Sequence, residues 1–390
     1  APKTVKLGFL ATLSGPVAPW GLPGLYGAEM WVDDFNDAGG MQIGGDTYII
    51  ELIPYDDEFT ASKAVTGAKK LVLEDKVNFL LQMISPPSHA AAPFLTEEKM
   101  LSSVMIASDT RPDFPYMVNL VETYPLNMLA LYDYVAKKYP EAKTVAMSNP
   151  DDKSCRIAAC YTRAGWEAAG IEVVYDEFYD PETLDYTPIA TAMLASGADI
   201  MCWDSAYPNA GLALTEEAYY QGWDGPIASC TFDLYRDAID IVGKEYLEGY
   251  TYVYPDFDYS SHILTPEFNA FYDKYNELYP GTWSCVSWEY ADVIKIWARY
   301  AERADSIDPL TVLAAMKADP NPVHPFGPGR WLGTEIMGID NSLVGAWPVG
   351  EIQDGNSVIV EMVDLADWYY NNIDLAVKHL EMEGYLWYQQ

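Results

Sequence analysis

Two different periods of apolar residues occur in the first forty positions. Apolar and other residues alternate over residues 4–10, which is the period of a β-strand, and apolar residues then recur at helical spacing from about Gly24 to Phe35. Gly39-Gly40 is a stop signal for that helix. A loop rich in glycine and proline lies between the two elements and carries Trp20. Ligands of open α/β sheets bind beyond the carboxyl ends of the strands, so Trp20 either contacts a ligand or caps the sheet.

The same alternation of short apolar strands with amphipathic helices continues along the chain. The predicted strands are 48–54, 77–84, 101–106, 144–147, 171–178, 199–203, 227–230 and 250–254. The predicted helices include 61–73, 126–138, 156–169 and 210–221. This order predicts an α/β fold with parallel sheets and right-handed crossovers. A chain of 390 residues is too long for one typical domain, which favours two lobes.

Acidic residues dominate the charge of the chain. With 58 Asp and Glu against 23 Lys and Arg, the formal net charge is −35. Nucleic acids and anionic membranes are therefore excluded as expected partners, because both require basic patches. No apolar run reaches the length of a membrane span. The small first residue, Ala1, is typical of what remains after signal-peptide cleavage, and a trimmed chain would look the same.

The sequence contains no recognisable catalytic or metal-binding motif. The four histidines lack metal-ligand spacing, and the glycine patterns of nucleotide-binding and hydrolase sites are absent from the sequence. We therefore expect neither an enzyme nor a cofactor, and we expect no metal. The odd number of cysteines, five, favours buried free thiols, although Cys202 and Cys230 lie on successive predicted strands.

Several motifs in register resemble periplasmic solute-binding proteins of the Leu/Ile/Val-binding type. The first is Leu13-Ser14-Gly15-Pro16 with Ala18, Trp20 and Gly21, before a helix that ends in Asn36 and Gly39-Gly40. The second is Tyr55-Asp56-Asp57 at the end of a strand, followed by a helix that starts Ala61-Ser62-Lys63-Ala64. The resemblance covers roughly residues 4–360.

The resemblance implies the type I periplasmic-binding-protein fold, in which two lobes each hold a parallel sheet flanked by helices. The chain of such proteins crosses between the lobes three times, here near 122–126, 255–260 and 333–340. Lobe one would then be 1–124 plus 258–335, and lobe two 125–257 plus 336–362. Residues 363–390 extend beyond the usual end of the family. They carry apolar residues at helical spacing, which favours a helix packed on a lobe over an interaction tail.

The resemblance also implies a function. The expected protein is a monomeric, extracytoplasmic or periplasmic receptor that closes its lobes on a small solute and presents it to the membrane permease subunits of an ABC transporter. One alternative is a ligand-sensing regulator of the same fold, and another is an ordinary binder of branched-chain amino acids.

The family's carboxylate-binding loops match two segments of lobe one. Ser85 aligns with the serine that binds the ligand carboxylate, and Ser88 is either a second contact or the N-cap of the following helix. Ser108 and Thr110 match the second loop, which is shortened by about one residue. His89 in the first loop is expected to be a hydrogen-bonding residue at a helix start.

Lobe two and the crossings supply the remaining candidates. Ser154 and Tyr207 stand near positions where relatives place a cleft tyrosine, while Trp203 and Asp204 are bulkier and more polar than usual. An aromatic wall is predicted from residues of both lobes: Trp20, Tyr124, Trp203, Tyr207, Trp288 and Tyr290.

The loop after residues 227–230 departs from the family pattern. Amino-acid-binding relatives place there a glutamate that holds the ligand ammonium, whereas this chain has Thr231-Phe232-Asp233. Either Asp233 replaces that glutamate or the ammonium anchor is missing. A buried ammonium without a partner costs several kcal/mol. The sequence therefore favours an aromatic carboxylate or a betaine-like compound, with an amino-acid-like ligand left open.

Overall fold

The chain forms two units and passes between them three times. The structure is a computed structural model that describes residues 1–15, 17–106, 110–253 and 264–389. The first unit comprises Ala1–Tyr124 and Pro266–Gly345, and the second comprises Pro125–Thr265 and Ala346–Gln390. The crossing that we predicted near 255–260 lies outside the described residues.

The strands and helices follow one another along the chain in the order that the alternating pattern predicts. The first part of the first unit contains β1 (Lys3–Ala11), α1 (Ala18–Asp37), β2 (Met41–Ile43), β3 (Asp46–Asp56), α2 (Ala61–Lys69), a π-helical segment (Lys70–Asp75), β4 (Phe79–Ile84), α3 (Pro87–Glu97), β5 (Ser102–Ile106) and β6 (Met117–Val118). The second unit then contains a 3₁₀-helix (Leu126–Ala130), α4 (Leu131–Lys138), β7 (Thr144–Pro150), α5 (Lys153–Ala168), β8 (Glu172–Tyr179), α6 (Thr187–Ala195), β9 (Ile200–Cys202), α7 (Pro208–Tyr220), β10 (Ile227–Ser229), α8 (Tyr235–Val242), α9 (Lys244–Leu247) and β11 (Thr251–Tyr252).

The C-terminal third of the chain completes both units. The first unit gains α10 (Pro266–Leu278), α11 (Val286–Ala304), α12 (Pro309–Lys317), β12 (Val323–His324), β13 (Gly327–Pro328), β14 (Arg330–Leu332), α13 (Thr334–Met337) and β15 (Ser342–Val344). The second unit gains β16 (Ala346–Gln353), β17 (Asn356–Asp364) and α14 (Leu365–Glu383).

Each unit is built on one largely parallel sheet. The strand order in the first unit is β2-β3-β1-β4-β5-β6, with only β2 antiparallel to its neighbour. The order in the second unit is β17-β16-β11-β10-β9-β7-β8, with β16 and β17 antiparallel at one edge. These sheets confirm the predicted fold class.

Helix α1 begins earlier than we predicted. It starts at Ala18 instead of near Gly24, so Trp20 lies in its first turn and not in a loop. Proline near the helix start explains the early beginning, because its φ is already helical and its missing N–H would be unbonded there anyway. Gly21 allows the helix to approach the preceding strand, since a Cβ at this position would lie 1.8 Å from the carbonyl oxygen of Thr12.

The final passage of the chain between the units follows Gly345, whereas the sequence had placed it at 333–340. Hydrogen bonds hold this later segment to the sheet of the first unit. The backbone N–H of Asn119 donates to the Asn341 carbonyl (2.9 Å), and the Leu343 N–H donates to the Asn119 carbonyl (2.8 Å). The Asn341 side chain also donates to the Met117 carbonyl (2.9 Å). These long-range bonds extend the first unit to residue 345.

Helix α14 packs against α5 in the second unit. Its buried residues include the five whose spacing predicted a helix: Trp368, Tyr369, Ile373, Ala376 and Leu380. At its end, Lys378 and His379 both contact the carboxylate of Glu167 on α5, at 2.7 Å each. All five cysteines, which lie within the described ranges, are buried free thiols. Among the described residues, no helix has the length and apolar character that a membrane span requires.

Substituting Gly27 by alanine should destabilise the first unit. Helices α1 and α11 are in close contact here, and a Cβ on Gly27 would lie 1.7 Å from the carbonyl oxygen of Ser287. Overpacking of this kind costs about 1–3 kcal/mol. We expect Gly27→Ala to lower the free energy of unfolding by about that amount, measured by urea unfolding followed by circular dichroism.

Gly211→Ala is the matched control, because Gly211 is also helical but the new Cβ would lie 4.0 Å from its nearest neighbour, the Cβ of Ala206. Alanine is the better helix former, so the free energy of unfolding should stay the same or rise by up to about 1 kcal/mol. Equal stability of the two variants would contradict the close packing at Gly27.

The buried His324 should make the stability of the protein depend on pH. Its Nε2 donates to the Val121 carbonyl at 2.8 Å, and burial lowers the pKa of the imidazole to about 4. An unfolded histidine has a pKa of about 6.5, so between pH 6.5 and 4 the unfolded state binds a proton that the folded state does not. The stabilisation is therefore complete above pH 6.5 and is lost as the pH falls, by about 3 kcal/mol at pH 4.

Urea unfolding at several pH values, for the wild type and His324→Asn, measures this effect. We expect the wild type to lose more stability than the variant between pH 6.5 and 4. Parallel pH curves for the two proteins would rule out a neutral, buried His324.

Candidate functional site

Polar side chains gather where β1 and β3 end in the first unit. Asp57 is buried, and its carboxylate accepts hydrogen bonds from the Thr12 hydroxyl (2.6 Å) and the Phe59 N–H (2.9 Å). Burial raises the pKa of this carboxyl group. Asp56 accepts from the Leu13 N–H (2.9 Å), which joins the loops after the two strands. The carboxyl edge of this sheet is thus a rigid, hydrogen-bonded platform.

The start of α3 lies at the same edge, directly after β4. Ser85 is half-buried in the connecting loop, and its backbone N–H donates to the Ile106 carbonyl of the neighbouring strand (3.2 Å). Ser88 is the second residue of α3 and is only 2% exposed. Pro86, and not Ser88, occupies the N-cap position. Within the described part of the chain, the Ser88 hydroxyl has no hydrogen-bond partner, so capping does not explain it.

The second predicted hydroxyl loop is only partly described. Ser108 lies outside the described residues. Thr110 is buried, and its hydroxyl donates to the sulfur of Met337 at 2.8 Å. The structure therefore gives Thr110 a packing contact within the first unit.

Arg111 is a residue that the sequence analysis missed. It follows the second loop, and its Nη2 lies 3.5 Å from Nδ1 of His89 on α3. Its guanidinium also lies over the Phe114 ring, with 5.3 Å from Cζ to the ring centroid. The signal that would have found it is a cationic residue beside a predicted carboxylate loop, in a chain with only 23 Lys and Arg.

The structure places the predicted aromatic residues of the first unit in different surroundings. Trp20 is half-buried on the first turn of α1, and Tyr124, the last residue of the unit, is buried. Trp288 is buried edge-on between Phe268 and Phe326.

Tyr290 is also buried, in the interior of the first unit. Its ring lies 4.7 Å from the Phe9 ring, and its hydroxyl donates to the Gln82 carbonyl at 3.4 Å. Both rings pack inside the first unit, and the places of Trp288 and Tyr290 on a ligand-facing wall remain predictions.

Polar residues from two loops lie at the carboxyl edge of the sheet in the second unit. Asp152 is the N-cap of α5, and its carboxylate accepts hydrogen bonds from the Cys155 N–H and the Tyr207 hydroxyl, both at 2.9 Å. Burial raises the pKa of Tyr207, which therefore remains a neutral donor. Ser154 is half-buried in the first turn of α5. The structure thus joins the predicted residue Tyr207 to Asp152, while the role of Ser154 remains a prediction.

Trp203 belongs to the core of the second unit, and its place on a ligand-facing wall remains a prediction. Its indole N–H donates to the Tyr250 hydroxyl (2.8 Å), which in turn donates to Ser229 (3.1 Å). Asp204, the next residue, is also fully buried, and it accepts a hydrogen bond from the Tyr132 hydroxyl at 2.5 Å. Burial raises the pKa of Asp204. Both side chains are committed to the interior, since the strand that ends there is covered by helices.

Asp233, the predicted substitute for the ammonium-binding glutamate, is half-buried after β10. Its carboxylate accepts a hydrogen bond from the Thr231 hydroxyl at 2.5 Å.

A surface pocket on the second unit is chemically less suitable than these two strand edges. It is lined by residues of α5, β8 and α14, including Arg163, Glu167, Asp176 and His379. Arg163 pairs with Asp176 at 2.5 Å, and His379 with Glu167 at 2.7 Å. Hydrogen bonding from Lys378 lowers the pKa of Glu167. Arg163 and Glu167 in this pocket are therefore already engaged by neighbouring side chains. Within the described ranges, no group of histidine, cysteine and acidic residues is arranged to hold a metal ion.

Two helix-flanked sheets with polar loops at their carboxyl edges define the type I periplasmic-binding-protein fold. A family model described as periplasmic binding protein matches residues 4–356. The chain belongs to this family. The resemblance that the sequence motifs carried is thereby confirmed.

The curated relatives found by sequence share only low sequence identity with this chain. The Leu/Ile/Val-binding protein BraC3 of Rhizobium johnstonii is 27% identical over 216 residues, a match that covers 53% of this chain and 56% of that protein. The chain spans little more than half the length of the curated relatives that it matches.

Solved structures share the fold over nearly the whole chain. A solute-binding protein of an ABC transporter from R. palustris, in complex with 4-hydroxybenzoate, has a TM-score of 0.74 at 23% identity, covering 93% of this chain and 96% of that one. The branched-chain amino acid transporter substrate-binding protein LivJ from Streptococcus pneumoniae, in complex with isoleucine, has a TM-score of 0.75 at 20% identity, covering 93% and 100%. At these identities the similarity demonstrates the fold alone.

Removing the Tyr132 hydroxyl should destabilise the second unit, because Asp204 would lose its donor while remaining buried. Hydrogen bonds to charged groups contribute about 1.5–3 kcal/mol. We expect Tyr132→Phe to lower the free energy of unfolding by about that amount, measured by urea unfolding at pH 7.

Tyr179→Phe is the control, because in the described part of the chain the buried hydroxyl of Tyr179 has no hydrogen-bond partner. Its loss should change the free energy of unfolding by less than about 0.5 kcal/mol. Similar stabilities of the two variants would show that Asp204 does not depend on Tyr132.

Proposed function

We propose that this protein is the extracytoplasmic solute-binding receptor of an ABC importer and that it binds a small solute through a carboxylate. The observation that carries the proposal is the Ser88 hydroxyl at the start of α3. It is buried at the carboxyl edge of a parallel sheet, where α/β proteins bind their ligands, and no described residue satisfies it.

The start of α3 has the electrostatics that a carboxylate needs. The first turn of a helix carries backbone N–H groups without intrahelical partners and the positive end of the helix dipole. Its first residue, Pro87, contributes no N–H, so the donors come from Ser88 onward. A carboxylate placed here would accept from the Ser88 hydroxyl and from first-turn N–H groups, which is a well-established mode of anion binding. Ser85, in the preceding loop, would add a second hydroxyl donor.

The relatives are consistent with this chemistry. The two solved complexes named above hold 4-hydroxybenzoate and isoleucine, and both molecules carry a carboxylate. For this chain, an aromatic carboxylate is the favoured solute, and an amino-acid-like or betaine-like compound is the alternative. The roles predicted for Trp20, Tyr124, Ser154, Tyr207 and Asp233 in holding the rest of the solute remain predictions.

As part of the same proposal, the two units close on the solute, and the closed protein delivers it to permease subunits of the transporter. Closure of this kind requires that the solute bind the closed state more tightly than the open one. Neither catalysis nor a cofactor enters the proposal. A branched-chain amino-acid binder is the second candidate, because the relatives matched by sequence include Leu/Ile/Val-binding proteins.

Thermal unfolding of the protein, stripped of bound ligand by unfolding and refolding, tests the receptor function. The panel contains 4-hydroxybenzoate, 3,4-dihydroxybenzoate, 4-methylpentanoate, leucine, isoleucine and glycine betaine, each at 10 mM. A solute at about 100 times its dissociation constant adds about 2.7 kcal/mol of stability, a shift of a few degrees. A shift with at least one carboxylate supports the proposal, and no shift with any of them contradicts it.

The serine at the start of α3 is tested by substitution. Because a hydrogen bond to a charged group contributes about 1.5–3 kcal/mol, Ser88→Ala should weaken binding of the solute that gives the largest shift by roughly 10–100-fold in isothermal titration calorimetry.

Ser103→Ala is the matched control. Ser103 is equally buried at 2% exposure on β5 of the same sheet, and its hydroxyl also has no partner among the described residues. It lies in the first half of the strand, away from the carboxyl edge. Its removal should leave the dissociation constant unchanged. Equal affinities of the Ser88→Ala and Ser103→Ala variants would show that the start of α3 does not bind the solute.

A further inference from the structure

A buried histidine lies beside two of the places where the chain leaves the first unit. His324 is 1% exposed, and its Nε2 donates to the carbonyl of Val121 at 2.8 Å. Val121 shortly precedes the first passage, which follows Tyr124. The same ring packs on Gly345, the last residue before the third passage, so closely that a Cβ on Gly345 would lie 2.5 Å from the ring Cγ. His324 therefore contacts the segments of both passages.

Hydrogen bonds hold the imidazole of His324 on two sides. Its Nδ1 accepts from the backbone N–H of Phe326 at 3.4 Å, so the ring proton is on Nε2, which faces Val121. A ring that is bonded at both nitrogen atoms cannot rotate freely. These two bonds therefore keep the imidazole against Gly345.

A tryptophan lies on the other side of the third passage, in the second unit. Trp347 is the second residue of β16 and is fully buried. Its indole N–H donates to the carbonyl of Val253 at 2.7 Å. Val253 directly follows β11, in the segment that leads towards the second passage. Trp347 thus bonds the segment of the third passage to that of the second.

A single residue separates the strands on the two sides of the third passage. Strand β15 ends at Val344 in its pairing with β14 of the first unit, and β16 begins at Ala346 in its pairing with β17 of the second. Gly345 lies between them and belongs to neither strand. Because paired strands resist bending, a change of direction at this passage is concentrated at Gly345, the residue on which His324 packs.

From this arrangement we infer that His324 and Trp347 are positioning residues, which restrict bending at Gly345 and thereby raise the affinity of the protein for its solute. The inference rests on the proposed function, in which the two units close on a solute. It goes beyond that function by naming the side chains that control the closure.

The expected effect is one of conformational entropy. The ligand-free protein samples a range of open conformations, whereas the solute itself restrains the closed state. Loss of either side-chain bond widens the range of open conformations and leaves the closed state restrained as before. Closure must then order more degrees of freedom, which costs conformational entropy, so the dissociation constant rises.

Amide hydrogen exchange in the ligand-free protein is the first test. Trp347→Phe removes the indole N–H and keeps an aromatic ring, and His324→Leu removes the imidazole. We expect both variants to exchange roughly 3–10-fold faster than the wild type in peptides that cover residues 342–347. His324→Gln should stay close to the wild type, because its side-chain amide can still donate to the Val121 carbonyl.

Trp331→Phe is the matched control for the tryptophan. The indole N–H of Trp331 also donates to a backbone carbonyl, that of Met316 at 3.2 Å, but this bond joins β14 to α12 inside the first unit. Its loss should leave the exchange of residues 342–347 at the wild-type rate. Equal exchange rates in Trp331→Phe and Trp347→Phe would overturn the inference.

Solute affinity is the second test, because a purely structural role would not change it. For the carboxylate of the panel that gives the largest thermal shift, Trp347→Phe and His324→Leu should raise the dissociation constant roughly 3–10-fold in isothermal titration calorimetry. Trp331→Phe should leave it unchanged, although that variant loses a comparable hydrogen bond. Wild-type affinity in both Trp347→Phe and His324→Leu would contradict the inference.

The outcomes separate this inference from the proposed function. If a carboxylate binds and Ser88→Ala weakens it, while exchange and affinity stay at wild-type values in His324→Leu and Trp347→Phe, the receptor function stands and the inference is wrong. If no carboxylate in the panel binds, the proposed function is wrong, and faster exchange of residues 342–347 still supports restricted bending at Gly345. If Trp347→Phe does not fold, as judged by circular dichroism, the comparison of His324→Leu with His324→Gln decides the inference.

Discussion

Parallel strand pairing is the constraint on which the rest of this structure depends. A parallel sheet is buried on both faces, and each connection between neighbouring strands must cross over the sheet, usually as a helix. In the first unit every residue of β4 is buried for this reason. At the carboxyl ends of the strands, chain reversals bring the polar residues Thr12, Asp57, Ser85 and Ser88 to one edge. The candidate site is a consequence of these reversals.

Two of the buried carboxylates in this protein accept hydrogen bonds from hydroxyl groups. Asp57 accepts from Thr12, and Asp204 accepts from Tyr132, while burial raises the pKa of both carboxyl groups. A hydroxyl donor satisfies a carboxylate without a lysine or arginine, and this chain has more than twice as many acidic as basic residues. Because cations are scarce, the buried guanidinium of Arg111 beside the start of α3 is a distinctive electrostatic feature of the first unit.

Much of the fold could be predicted because secondary structure follows from local patterns. Period-two and period-3.6 spacing placed β1, β4, β5 and α5 within a few residues of their observed bounds. The candidate site was less predictable. Ser88 was expected as a possible cap, but the helix begins at Pro87, two residues earlier than a cap at that position requires. Trp203 and Tyr290 were predicted on a ligand-facing wall, and no local pattern indicated that each is buried inside its own unit.

The sequence by itself determined the class of fold, the two-unit organisation, the strong negative charge and the loops in which polar residues follow strands, since each of these depends on composition or on spacing between near neighbours. Only the tertiary structure decided which polar groups are buried and what they contact. Arg111 and His89 are 22 positions apart, as are many pairs that never meet, and no local pattern reports that β5 and α3 bring them to 3.5 Å. Long-range packing decides side-chain burial, and burial determines whether a serine or an arginine remains an ordinary surface residue or forms part of a site.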